Sequence, residues 1–113
     1  MNTMIRNLNV KILKDIDEAL KINVIFFTAS WCGSCKMVYP VIESLAKEQL
    51  NNVDVYIVDV DQNQELLDEF QVFSIPTIVI RYNKKTYRKE SGYRSLDLLN
   101  TYINEIKEQT VNK

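Results

Sequence analysis

Cys32 and Cys35 are the only cysteines in the chain, set three residues apart in Trp31-Cys32-Gly33-Ser34-Cys35-Lys36, shortly after the apolar run Val24-Ile25-Phe26-Phe27. Thiols at i and i+3 at the start of a helix can close a reversible disulfide, and neither has another partner in the chain. Dithiol redox chemistry is therefore the first reading. The blander one is a pair of cysteines buried as small hydrophobes. Structural zinc needs four Cys, His or carboxylate ligands, and two cysteines with no histidine do not supply that set, so no metal site is expected.

Composition bounds the alternatives. A chain of 113 residues, 46% hydrophobic and with net charge −1, can bury one core and lacks the basic excess of a general nucleic-acid binder. One soluble domain over residues 1–113 is expected, with no nucleic-acid or membrane partner, since no apolar run serves as a signal-peptide core or spans a bilayer. The default address is the cytoplasm. In that reducing compartment a Cys-x-x-Cys pair points to catalysis or metal binding rather than a structural staple.

The elements that must position the thiols follow from periodicity. Ile12, Leu13, Ile16 and Leu20 recur at helical spacing, and residues 23–28 form a buried strand ending just before the cysteines. Val38, Val41, Ile42, Leu45 and Ala46 mark a helix over 35–49, with a kink expected at Pro40. A strand over 53–60 follows, then a short helix capped by Asp61 or Asn63 and burying Leu66, Leu67 and Phe70. Ile75-Pro76-Thr77 opens the strand Ile78-Val79-Ile80, Asn83-Lys84-Lys85 turns the chain, and 86–91 reads as a polar edge strand broken by Gly92. Ser95 opens a last helix with Leu96, Leu99, Ile103 and Ile106 inward, and 110–113 should fray. The order βαβαβαββα predicts an α/β fold, a central mixed β-sheet flanked by helices on both faces.

These residues together resemble the thioredoxin family over nearly the whole chain: Phe27, Trp31-Cys32-Gly33, Cys35-Lys36-Met37, Pro40, Val58-Asp59-Val60-Asp61-Gln62-Asn63, Ile75-Pro76-Thr77 and Gly92 stand in the family's order and spacing. The resemblance implies the thioredoxin fold and a protein-disulfide reductase with no bound cofactor. It also implies disulfide-containing client proteins, a flavin-containing thioredoxin reductase or equivalent as electron donor, and a monomer. Cys32 is expected at the second helix's N-terminal end, exposed, its thiolate stabilised by unpaired N–H groups, the macrodipole and Lys36. It attacks the client disulfide, and the more buried Cys35 resolves the mixed disulfide. Gly33 and Ser34 lie between them. Pro76 is expected to follow a cis bond against the disulfide. Only about 5–6% of X–Pro bonds are cis, so that expectation rests on the resemblance alone. Trp31, Ile75, Gly92 and Tyr93 would rim the site, with the backbone before Pro76 free to pair with an extended substrate.

The departures from the family matter as much. Members commonly carry a buried Asp where this chain has Phe26 and often a Lys where it has Ile57, and Thr28 replaces a common aromatic. Losing Asp and Lys together strands no buried charge but removes the usual base for Cys35. Ser34 and Asp59 are candidate substitutes, each set against an ordinary solvated residue. Without the Asp, Cys32 should ionise more readily and the chain be a somewhat weaker reductant than thioredoxin at about −270 mV, roughly between −260 and −220 mV. Alternative functions are an oxidant, isomerase or client-specific partner, or a non-enzymatic binding subunit. Six of the 14 basic residues, Arg81, Lys84, Lys85, Arg88, Lys89 and Arg94, cluster late in the chain. A protective charged edge is the favoured reading of that cluster over an anionic partner's site.

Overall fold

The computed structural model describes residues 4–110. Its elements run β1 (Ile5–Asn7), α1 (Val10–Glu18), β2 (Ile22–Thr28), α2 (Cys35–Glu48), β3 (Val53–Asp59), α3 (Gln64–Phe70), β4 (Thr77–Tyr82), β5 (Lys85–Ser91) and α4 (Leu96–Gln109). The expected order holds. Expected fraying over 111–113 lies outside the described residues, while Thr110 closes α4 with its hydroxyl on the Ile106 carbonyl.

The five strands lie in the order β1-β3-β2-β4-β5. β1, β3 and β2 are mutually parallel, and β4 runs antiparallel to both β2 and β5. β2 is the central strand, which is why it is an unbroken apolar run: with helices on both faces, neither side of it meets water. α2 and α4 pack together, tied by Gln49 Nε2 donating to Asn100 Oδ1 at 2.7 Å. Across the sheet, Arg81 on β4 meets both α1 and α3. It forms two hydrogen bonds with Asp17, at 2.8 and 2.7 Å, and its guanidinium lies 4.9 Å from the Phe70 ring centroid.

Local chemistry sets the element ends. Asn9 caps α1 by accepting from Ile12 N–H, and Ser95 caps α4 by accepting from Leu98 N–H. Asn83 and Lys84 both adopt positive φ between paired Tyr82 and Lys85, the two-residue hairpin turn whose twist suits the flanking strands.

Four expectations need correction. Leu20 lies beyond the end of α1 and is exposed rather than on its buried face, because the chain turns extended at Ala19. Strand β3 stops at Asp59, one residue short of Val60, whose N–H bonds the Thr28 carbonyl instead of continuing the ladder. Asn63 holds the N-cap position of α3 without capping it, since its amide donates to the Asp59 carbonyl; Asp61 caps nothing. Three of the six residues of the basic cluster are ion-paired: Arg81 with Asp17, Arg88 with Glu90 and Glu105, and Arg94 with Glu90. β5 does form the expected edge, with Lys85, Thr86, Lys89 and Ser91 exposed and Tyr87, Arg88 and Glu90 half-buried.

Candidate active site

The chain leaves β2 at Thr28 and reaches α2 through a tight turn in which Cys32 N–H donates to the Ala29 carbonyl. Cys32 and Cys35 form a disulfide, with Cα atoms 5.4 Å apart. The sulfur of Cys32 sits at the start of α2, where it accepts the Cys35 N–H at 3.2 Å. The Lys36 and Met37 N–H groups fold back onto the Gly33 and Ser34 carbonyls. The first helical donor is thus committed to the sulfur instead of standing unpaired, and the macrodipole points the same way.

Cys35 is the more deeply buried of the two, 2% exposed against 6% for Cys32. Cys32 is therefore not the open sulfur the sequence suggested. Ser34 spends its hydroxyl on Cys32 Sγ, 3.6 Å away, and makes no helix cap. Gly33 and Lys36 are exposed beside it.

Sheet pairing brings the second segment to the same end of the molecule. Phe27 pairs with Thr77, so Pro76 lies next to the strand end from which the cysteine turn departs. The Ile75–Pro76 bond is cis, Pro76 is buried, and its carbonyl accepts Gly92 N–H at 2.8 Å. Gly92 has φ +87°, a conformation few residues with a Cβ adopt. Trp31 and Ile75 line one groove, whereas Tyr93 is exposed beyond Gly92. Ile75 precedes the paired strand and enters no ladder.

Phe26 is fully buried and stands in register with half-buried Ile57 across β2 and β3. Both are apolar, so no carboxylate occupies that pair of positions. Asp59 Oδ1 accepts Asp61 N–H, and its backbone carbonyl accepts the Asn63 amide.

Sequence reasoning missed the surroundings of Trp31. Its indole N–H donates to Asp61 Oδ2 at 2.9 Å, so the acidic residue read as a helix cap instead holds the ring. Val60, Leu67, Val72 and Phe73 complete the groove beside Trp31 and Ile75.

A family model described as Thioredoxin matches residues 6–105. Thioredoxin of Bacillus subtilis (strain 168) is 34% identical over 79 residues, 70% of this chain and 76% of that one. A bifunctional thioredoxin reductase/thioredoxin of Mycobacterium leprae is 48% identical over 66 residues, 58% of this chain but 14% of that longer protein. Among solved structures, the thioredoxin of Malassezia sympodialis superposes with a TM-score of 0.81 at 27% identity, covering 93% of this chain and 91% of that one. The disulfide at the helix start, the Ile-Pro segment beside it and these likenesses run over the same residues, and the chain belongs to the thioredoxin family.

Proposed function

We propose that this chain is a protein-disulfide reductase, one thioredoxin domain over residues 1–113, with Cys32 as attacking and Cys35 as resolving thiol. The observation that carries the reading is the Cys32 sulfur held on the first N–H of α2, with Cys35 behind it in the core. A thiolate at that place is favoured by the hydrogen bond and by the helix dipole, and a favoured thiolate is the reactive species.

In the reduced protein, the Cys32 thiolate attacks one sulfur of a client disulfide. A Cys32–client bond forms as the client's own bond breaks and releases a client thiolate. With Phe26 and Ile57 apolar, that released thiolate takes the Cys35 proton. The Cys35 thiolate then attacks Cys32 Sγ, closing the disulfide seen here and expelling the second client thiolate, which takes a proton from water. Two electrons have moved to the client. Two must return from a donor, for which a flavin-containing reductase is the family's usual source.

Trp31, Ile75, Pro76 and Gly92 form the client-facing rim, with Tyr93 at its margin, and the unpaired Ile75 backbone offers an edge for an extended client segment. Gly33 and Ser34 keep the cysteine turn short, and Lys36 adds positive charge beside it. Work as a monomer in the cytoplasm suits a dithiol that must be kept reduced. No helix among the described residues is long and apolar enough to cross a membrane.

Insulin reduction with dithiothreitol tests the reading, and faster precipitation than with dithiothreitol alone is expected. Absence of acceleration would favour a binding subunit in which the disulfide is incidental. Role assignment is tested by trapping: Cys35→Ser should accumulate mixed disulfides with clients and Cys32→Ser should not. Equal trapping by both would overturn it.

A further inference from the structure

The buried half of β4 reads Thr77-Ile78-Val79-Ile80, and Thr77, only 2% exposed, is the one polar side chain in it. A hydroxyl taken out of water costs free energy unless it is bonded, whereas Val would fill nearly the same space without that cost. The partner of that hydroxyl is therefore informative. Thr77 Oγ1 donates to the Ser74 carbonyl at 2.7 Å, three residues back, and so closes a ring around Ile75 and Pro76.

A carbonyl can only accept, so the Thr77 proton goes to Ser74 and its oxygen is left to accept from the Ser91 hydroxyl, 3.4 Å away. Ser91 ends β5, and the next residue, Gly92, gives its N–H to the Pro76 carbonyl at 2.8 Å. Two residues before Ser91, the Lys89 ammonium donates to the Gln71 carbonyl at 2.9 Å. The end of β5 thus holds the loop at Gln71, at Ser74 through Thr77, and at Pro76. Ile75 is left between two committed carbonyls. Among the described residues its own backbone enters no ladder and no turn bond, and Pro76 has no N–H to compete with it.

We propose that Thr77 is a positioning residue for client reduction: its hydroxyl, oriented by Ser91, fixes the 74–77 turn so that the Ile75 backbone meets an extended client already aligned for pairing. The proposal rests on the reading of the chain as a disulfide reductase. Pre-organisation of this kind lowers the ordering cost of binding instead of adding a contact. Its loss is felt by clients that use the Ile75 backbone and by no others.

Two disulfides separate those cases: a disulfide-linked decapeptide, which has a backbone to pair, and bis(2-hydroxyethyl) disulfide, which has none. Thr77→Val should raise KM for the peptide about tenfold, the worth of one to two hydrogen bonds, while kcat, turnover of the small disulfide and the reduction potential stay unchanged. Thr77→Ser keeps the hydroxyl and should stay within about twofold of the parent, with Ser91→Ala between the two. A residue that merely supported the fold would slow both disulfides and shift the potential with them. A parent-like peptide KM in Thr77→Val, or an equal loss on both disulfides, overturns the proposal.

The pairing itself is tested with a decapeptide N-methylated at the residues flanking its cysteine, which cannot donate those backbone bonds. It should start from a raised KM and lose little more in Thr77→Val. Fully additive losses would overturn the proposal, because the hydroxyl would then act on something other than pairing. A further measurement is independent of turnover: the unmethylated peptide with Ser in place of Cys is titrated against the disulfide form, with Trp31 fluorescence as the probe. If the parent reduces neither disulfide, yet Thr77→Val weakens this binding about tenfold and Thr77→Ser does not, the reductase reading fails and the alignment by Thr77 stands. Equal binding by all three proteins removes it.

Discussion

Truncating Asp17 to Ala should be among the most damaging single changes in the chain, although the residue lies far from the cysteines in the sequence. The Asp17 and Arg81 side chains are only 11% and 12% exposed, and they share two hydrogen bonds of 2.7 and 2.8 Å. Removing the carboxylate leaves a guanidinium largely out of water, with the Phe70 ring as its remaining close neighbour. Breaking a buried pair from one side costs about 3–5 kcal/mol, whereas replacing both partners with apolar groups is often neutral or better. The cation–π contact with Phe70 and the remaining exposure place Asp17→Ala at the lower end, about 3 kcal/mol. Urea unfolding of the oxidised protein, followed by far-ultraviolet circular dichroism, measures it, with Asp17→Leu, Arg81→Met and the double variant completing a cycle. The double variant should lie within about 1 kcal/mol of the parent, giving a coupling of at least about 2 kcal/mol. A loss below about 1 kcal/mol for Asp17→Ala, or additive single effects, would mean that the pair is solvated and the argument from burial is wrong.

The other predictions concern the core, the rim and the far edge. Phe26→Asp should raise the Cys32 pKa, make the reduction potential more negative than the parent's, itself expected at roughly −260 to −220 mV, and cost several kcal/mol because Ile57 cannot pair with the charge. Equilibration with a glutathione buffer decides it, and a shift toward a less negative potential would refute the buried-charge argument. Gly92→Ala should cost about 1 kcal/mol or more through its positive φ rather than through crowding, since an added Cβ would find its nearest neighbour, Arg94 Nη1, at 3.9 Å. Thermal unfolding reads this, and an unchanged midpoint would count against it. Asp61→Ala should change stability by less than about 1 kcal/mol but free the Trp31 ring, seen as lower fluorescence anisotropy. Burial first, and Asp54 second, raise the Tyr56 phenol above its ordinary 10.0, against an opposing effect of Arg6. A raised folded value stabilises the protein fully below the unfolded pKa and is lost as pH rises through the folded value, so stability should fall above pH 10 and less steeply in Tyr56→Phe.

The order of elements and the place of the thiols were legible because each rests on local signals: periodicity, caps at Asn9 and Ser95, and a Cys-x-x-Cys after a buried strand. The Asn83-Lys84 turn was legible for the same reason. What the sequence hid was long-range. Asp61 looks like a cap because Asp before a helix usually is one, and only the fold brings it to an indole 30 positions away. Arg81 looks like part of a basic cluster until β4 places it against α1, where it has a buried partner 64 positions distant. Cys32 looked open because the reading placed it at a helix tip, whereas it is only 6% exposed in the disulfide state. Phe26 and Ile57, read as a linked departure, stand in register across β2 and β3.

Lys89 carries one more consequence. It belongs to β5, which has a sheet partner on one side only, yet its ammonium reaches the Gln71 carbonyl and the Phe70 carbonyl at the end of α3. The loop holding Phe73 and Ile75 is thus moored to an edge strand of the sheet. Opening of that strand, the kind of local event that costs far less than global unfolding, would slacken the wall of the site while leaving the disulfide turn on α2 intact. Amide exchange in β5 and in residues 71–75 should then share one opening free energy, making the breathing of an outer strand the clock for the client-binding rim.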